Sequence, residues 1–287
     1  MSWMNTVPVR WAVYFVLSSL VVCAQTTIEA IRLGWTDDRY NHTLALPVIC
    51  LILLYQERDL VSETYAKYQP GLILAALGVV TNLVLTYAVS GVELYWRMLA
   101  VCVSWVGGYL YCYGPGGFRA TLFPCLLLLA CPPIPESWIH RAEVALQWTS
   151  ADVSEVLLRF TGASVYREGL YFAMPGLNVE VARECSGIRS TTALIIVVAV
   201  AAHLLLRSTW ARILFFLLAV PAGIFKNGVR ISTLAWLGSY MSPEYLHGWL
   251  HKNGGPPFTM VALAFLVPSL LLLQRLERKR NSTLVPR

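Results

Sequence analysis

Residues 184–206 read ECSGIRSTTALIIVVAVAAHLLL, a polar start running into an apolar stretch. A helix of about 20 apolar residues crosses the hydrocarbon core of a bilayer, so the stretch from 188 to 206 reads as a membrane span. Working outward from it, apolar runs with polar flanks mark seven more: 11–27, 44–56, 71–90, 94–113, 118–131, 213–237 and 257–273. The second and fifth are short. Pro132, Pro133 and Pro135 stop the fifth, and Pro221 and Gly223 lie inside the seventh. Composition agrees: 57% of the 287 residues are hydrophobic and 13% charged, about half the roughly 25% charged fraction of a soluble domain. A cytosolic enzyme, a disordered chain and a small disulfide scaffold are excluded. The fold class expected is an all-α polytopic membrane protein of about eight transmembrane helices, with an extracytoplasmic amphipathic helix and a short cap.

The expected organisation is five N-terminal helices in 1–135, the helix and cap in 136–184, three helices in 185–280 and a tail in 281–287. Leu284-Val285-Pro286-Arg287 matches the remnant of a cleaved protease site and is set aside as an expression scar. The run 11–27 is read as a retained span rather than a signal peptide. It has no small-x-small cleavage site, and Val22 before Cys23 spoils a lipoprotein-type box.

Basic residues orient the chain. With the N-terminus inside, cytoplasmic segments carry ten: Arg10, Arg58, Lys67, Arg119, Arg207, Arg212, Arg275, Arg278, Lys279 and Arg280. The short outer loops carry four, Arg32, Arg39, Arg97 and Lys252. The net charge of +6 comes largely from the C-terminal cluster, which suits anionic lipid head groups. No Arg/Lys stripe interleaved with aromatics suggests nucleic acid. The polar stretch 136–186 then lies outside. Its first half, 137–160, sets Trp138, Val144, Leu146, Trp148, Val153, Val156, Leu157 and Phe160 among charged residues, the pattern of an amphipathic helix lying on the membrane. Its second half, 163–182, has the Gly and Pro content of a short hairpin or irregular cap.

Three polar residues fall at the outer ends of successive spans: Cys185 before the sixth, Arg230 near the end of the seventh, and His251 before the eighth. Consecutive spans are usually neighbours, so the three are expected to converge just below the outer surface. Their types suit acyl transfer. Cys185 supplies a thiolate, which a nearby cation favours; His251 takes or returns the proton; Arg230 holds the developing oxyanion. Gly187 admits a close backbone approach. Taken singly, each residue has a plainer explanation: a structural cysteine, an arginine snorkelling to head groups, an interfacial histidine. Cys23, Cys50, Cys102, Cys112, Cys125 and Cys131 lie in or at the ends of apolar segments and read as small packing residues.

The motifs carry a resemblance. Glu184-Cys185-Ser186-Gly187-Ile188-Arg189-Ser190 resembles the Cys-Ser-Gly-x-Arg-Ser core of the exosortase/archaeosortase family. Asn227-Gly228-Val229-Arg230 is similar to its Asn-x-x-Arg element, and His251 with Gly255 to its His-containing element. Tyr40-Asn41-His42 resembles the family's N-terminal region. The resemblance implies a membrane cysteine protease and transpeptidase of the bacterial branch, in the inner (plasma) membrane with its site facing the extracytoplasmic side. Its substrates would carry tripartite C-terminal signals: a short signature, typically Pro-Glu-Pro (PEP-CTERM-like), a transmembrane helix and a basic cluster. Cys185 would attack near the signature, and the acyl-enzyme would pass to water or to an acceptor that the sequence does not identify. Arg189, one turn beyond Cys185, would steady the thiolate or a substrate carboxylate, with Glu184, Gly187 and Asn227 in support. His247, four residues before His251 and on the same face if the segment is helical, shares the candidacy for the histidine.

A second reading has a different character: a non-catalytic membrane component for the export or assembly of polysaccharide, with Arg230 binding an anionic lipid-linked substrate. Metalloproteolysis and aspartyl intramembrane proteolysis are set aside, since the chain has neither HExxH nor paired aspartates within spans. There is also no CxxC pair, and no metal or cofactor is expected.

Overall fold

A computed structural model describes residues 13–14, 17–61, 67–246 and 255–283. It is 80% helical, with ten helices among the described residues. Two compact units are present, Met1–Glu136 and Ser137–Arg287.

In the first unit, α1 is Ala24–Thr36, preceded by a π-helical turn at Ser18–Val22, and α2 is Asn41–Gln56. α3 is Gln69–Tyr87, α4 Leu94–Ala120 and α5 Leu122–Leu128. α3 and α4 form an antiparallel seam of small residues. A Cβ on Gly71 would lie 2.3 Å from Tyr111 N, one on Gly107 2.4 Å from Ala75 N, and one on Gly78 2.6 Å from Ser104 N. Missing side chains let the two backbones approach, which is how apolar helices associate where hydrophobic exclusion gives no drive. At the far end Asn82 Nδ2 donates to Thr26 Oγ1 (2.9 Å) and Arg97 O (3.0 Å). Between α1 and α2, Arg39 donates to Asp37 and to Glu136 Oε1, the latter at 2.8 Å, while the Tyr40 hydroxyl donates to Glu136 Oε2 at 3.0 Å. The Arg39 guanidinium holds the Glu136 carboxyl below the usual carboxylate range, and burial pushes the Tyr40 phenol up to about 12. Tyr40 and His42 are both buried, the latter with Nε2 3.4 Å from Pro132 O.

The second unit begins inside α6, Glu136–Phe160. An antiparallel meander follows: β1 Tyr166–Glu168, β2 Tyr171–Met174 and β3 Leu177–Glu180, in that spatial order. Two-residue loops join the strands, with Gly169 (φ 64°) in the first and Gly176 (φ 75°) in the second. A 3₁₀ turn at Arg183–Cys185 leads into α7, Ile188–Leu205. α8 is Thr209–Leu217, α9 Ala219–Tyr240 and α10 Gly255–Thr283. α8 and α9 are one apolar stretch broken at Leu218, where Pro221 has no N–H to donate back to Leu217. At the opposite end of α7, the Glu277 carboxylate of α10 accepts from Ser208 N (2.7 Å) and from the Ser208 hydroxyl, capping the start of α8.

Among the described residues, four helical stretches are long and apolar enough to cross a membrane: Gln69–Tyr87, Ile188–Leu205, Thr209–Tyr240 and Pro257–Arg280. These are the third, sixth, seventh and eighth expected spans, and the protein is an all-helical membrane protein with a small sheet. The remaining four expected spans take other forms. The first falls partly outside the described residues, and α1 runs on to Thr36, past its expected end. α2 has 16 residues, about 24 Å at 1.5 Å per residue. α4 continues to Ala120 but is kinked at Gly114 (φ 66°, ψ 179°), which precedes Pro115. The fifth expected span is reduced to the 7 residues of α5, about 10 Å long and too short to cross.

α6 occupies the segment read as an amphipathic helix. The helix is present, but its inner face is polar: Glu143, Gln147, Ser150 and Ser154 are buried along with Ala151 and Leu158. Trp138, Trp148, Val156 and Phe160, counted toward an apolar face, are exposed. Serine hydroxyls bond across a close helix contact, an option that a hydrophobic-moment reading does not register.

Candidate active site

Cys185 closes the 3₁₀ turn, Ser186 is buried behind it, and Gly187 starts α7 with φ 75°. That left-handed backbone suits glycine, and here glycine is needed twice over. A Cβ on Gly187 would stand 2.8 Å from Asn227 Cγ and 2.9 Å from Asn227 Oδ1. The space beside Gly187 is thus taken by a side chain of α9.

Asn227 is buried, and its amide nitrogen faces three acceptors: Cys185 O at 2.8 Å, Ser150 Oγ at 3.0 Å and Ser186 O at 3.2 Å. One asparagine therefore ties the cysteine segment to α6 and α9. Ser154 extends the tie, its hydroxyl proton shared between Ser150 O (2.6 Å) and Gly228 O (3.0 Å). Gly228 lets α6 approach, since a Cβ there would sit 2.4 Å from Val153 Cγ1. Gln147 Nε2 donates to Val181 O at 3.0 Å, securing the link between β3 and the turn. Below these bonds, Cys185 packs against a cluster containing Ala151 and Leu158 of α6, Phe172 and Met174 of β2, and Ile231 and Ala235 of α9.

Cys185, Gly187 and Asn227 are thus brought together. Arg230 lies three residues past Asn227 on α9, about 4.5 Å along the axis, and is half-buried. Arg189 is exposed on α7, and Glu184 belongs to the 3₁₀ turn. His247 and His251 lie outside the described residues. Five of the seven cysteines, Cys23, Cys50, Cys102, Cys125 and Cys131, are buried, whereas Cys112 and Cys185 are half-buried. Among the described residues, no three His, Cys, Asp or Glu side chains group closely enough to hold a metal ion.

The family model of the transmembrane exosortases matches residues 34–268. The chain belongs to the transmembrane exosortase family. No curated protein and no solved structure matches it. The matched range runs from the last turn of α1 to Pro268 of α10 and contains Cys185, Asn227, Arg230 and His251.

Sequence reading missed the α6 contribution to this exosortase. Ser150 and Ser154 stand at i, i+4 in a helix whose large apolar residues drew attention to other faces. The spacing of small polar residues was the available signal. Ser150→Ala removes one acceptor of the Asn227 amide and should destabilise the second unit by about 1–2 kcal/mol. Thermal unfolding in detergent measures this, and an unchanged midpoint would show that the bond contributes nothing.

Proposed function

We propose that this transmembrane exosortase is a membrane-embedded cysteine protease and transpeptidase acting at the extracytoplasmic face of the inner membrane. Its substrates are proteins with C-terminal sorting signals of the PEP-CTERM type: a short motif, a transmembrane helix and a basic cluster. The observation carrying this reading is the Asn227 amide holding the Cys185 carbonyl at 2.8 Å. It fixes a half-buried thiol at the N-terminal end of an 18-residue helix, on the helix pair that also carries Arg230. A helix N-terminus favours the thiolate over the thiol.

In the reaction, Cys185 gives its proton to His251 and attacks the substrate carbonyl, forming a C–S bond. Arg230 donates to the oxyanion as charge builds on it, where one preorganised donor is worth about 3 kcal/mol. As the intermediate collapses the C–N bond breaks, His251 returns the proton to the leaving amine, and the C-terminal tail departs. The thioester on Cys185 then passes its acyl group to water or to a nucleophilic acceptor.

The thioester is the test. Membranes holding the protein and a substrate with a tripartite C-terminus should accumulate an adduct on Cys185 that hydroxylamine releases, located by mass spectrometry. Removal of the tail with no adduct on Cys185 would contradict covalent catalysis by this residue.

A further inference from the structure

The mechanism leaves one buried charge unused. Lys226 lies within Thr209–Tyr240 and is 3% exposed. Its one electrostatic neighbour among the described residues is Arg230, a like charge one turn along α9, and none of those residues hydrogen-bonds or ion-pairs with its ammonium. An uncompensated ammonium inside a membrane span costs several kcal/mol, and such residues are retained for function.

The helix places this charge. Ala219, Ala222, Lys226 and Arg230 follow one face of α9 at i, i+3, i+7 and i+11. Ala219 and Ala222 pack with Leu194 and Val198 of α7 and with Ala262 and Leu266 of α10. Lys226 continues that seam one turn nearer Gly187, beside Asn227. A second unsatisfied group lies on the same helix pair. Thr191 of α7 is buried, its hydroxyl has no hydrogen-bond partner, and it packs against Gly223 of α9. Both groups can donate a hydrogen bond.

We propose that Lys226 is a substrate-binding residue that receives a carboxylate of the polypeptide being cleaved, close to the bond that Cys185 attacks. The proposal rests on the proteolytic reading above. Lys226 directly precedes Asn227, whose amide holds the Cys185 carbonyl. We assign its occupant to the chain presented to the thiol.

Two alkylating probes test the inference without knowledge of the substrate. Iodoacetamide and iodoacetate both react with the thiolate, which displaces iodide in each case. Their rate ratio therefore cancels the thiolate fraction and reports the potential felt by a carboxylate beside the sulfur. Rates at Cys185 are followed by site-resolved mass spectrometry on the full chain in detergent, with Cys112 as the half-buried comparison. Relative to free cysteine, iodoacetate should be favoured at Cys185. Lys226→Met should lower the iodoacetate-to-iodoacetamide ratio about tenfold, and Lys226→Arg should retain it. Lys226→Gln serves where the methionine variant does not fold. An unchanged ratio in both neutral variants would overturn the carboxylate site while leaving Cys185 a reactive thiol. A Cys185 inert to both reagents would overturn the nucleophile reading and this one with it.

Discussion

Cys185→Ala should abolish removal of the substrate's C-terminal tail, lowering turnover by on the order of 10⁴-fold or more, as loss of a covalent nucleophile does elsewhere. The substitution removes one sulfur from a half-buried position packed against the Phe172–Ile231 cluster. The bonds that organise the segment run through the backbone carbonyl of residue 185 and the Asn227 amide, and both survive. Folding should therefore cost no more than about 1 kcal/mol, and protein level and melting midpoint should stay near those of the parent. Cys185→Ser should fail as well, because a hydroxyl is far less ionised than a thiol near neutral pH. Cys112→Ala, the change at the other half-buried cysteine, should process substrate normally. Full turnover by Cys185→Ala in a processing assay with matched protein levels would end the cysteine mechanism.

Gly187→Ala should also be strongly damaging, although it touches no reacting atom. The residue has φ 75°, a region that costs an L side chain about 1–2 kcal/mol. The added Cβ would also meet Asn227 Cγ at 2.8 Å, and Asn227 cannot retreat without giving up bonds to Cys185 O, Ser186 O and Ser150 Oγ. The summed destabilisation should be about 2–4 kcal/mol. A displaced nucleophile should lower kcat by about 100-fold even where the protein remains folded. Gly176 supplies the control: its φ is also 75°, but nothing lies within 4 Å of a Cβ built there. Gly176→Ala carries the backbone strain alone and should keep its activity. Equal kcat values for the two alanine variants would mean that contact with Asn227 does not position Cys185.

Much of this architecture could be read in the residues. Apolar runs such as 188–206 and 257–273 are local signals, because a bilayer demands a fixed length of apolar helix and little else. The short second and fifth runs were weaker on the same ground, and α2 and α5 are correspondingly short. The kink at Gly114 was signalled only by the following proline, inside a stretch whose apolar content invited a straight span. The meander was visible as a hairpin or cap, but its third strand was not, since Gly169 and Pro175-Gly176 each close a turn and only pairing shows that both do.

By itself the sequence determined the membrane class and the order of the motifs that carry Cys185, Asn227 and Arg230, because hydropathy and short motifs are properties of contiguous residues. Tertiary structure alone decided that α6 turns its serines inward, that Asn227 fills the space beside Gly187, and that Lys226 is buried with no acidic side chain beside it among the described residues. Each of these depends on which helix face meets which. That choice is made by how closely small residues let backbones approach, a quantity that no single segment encodes.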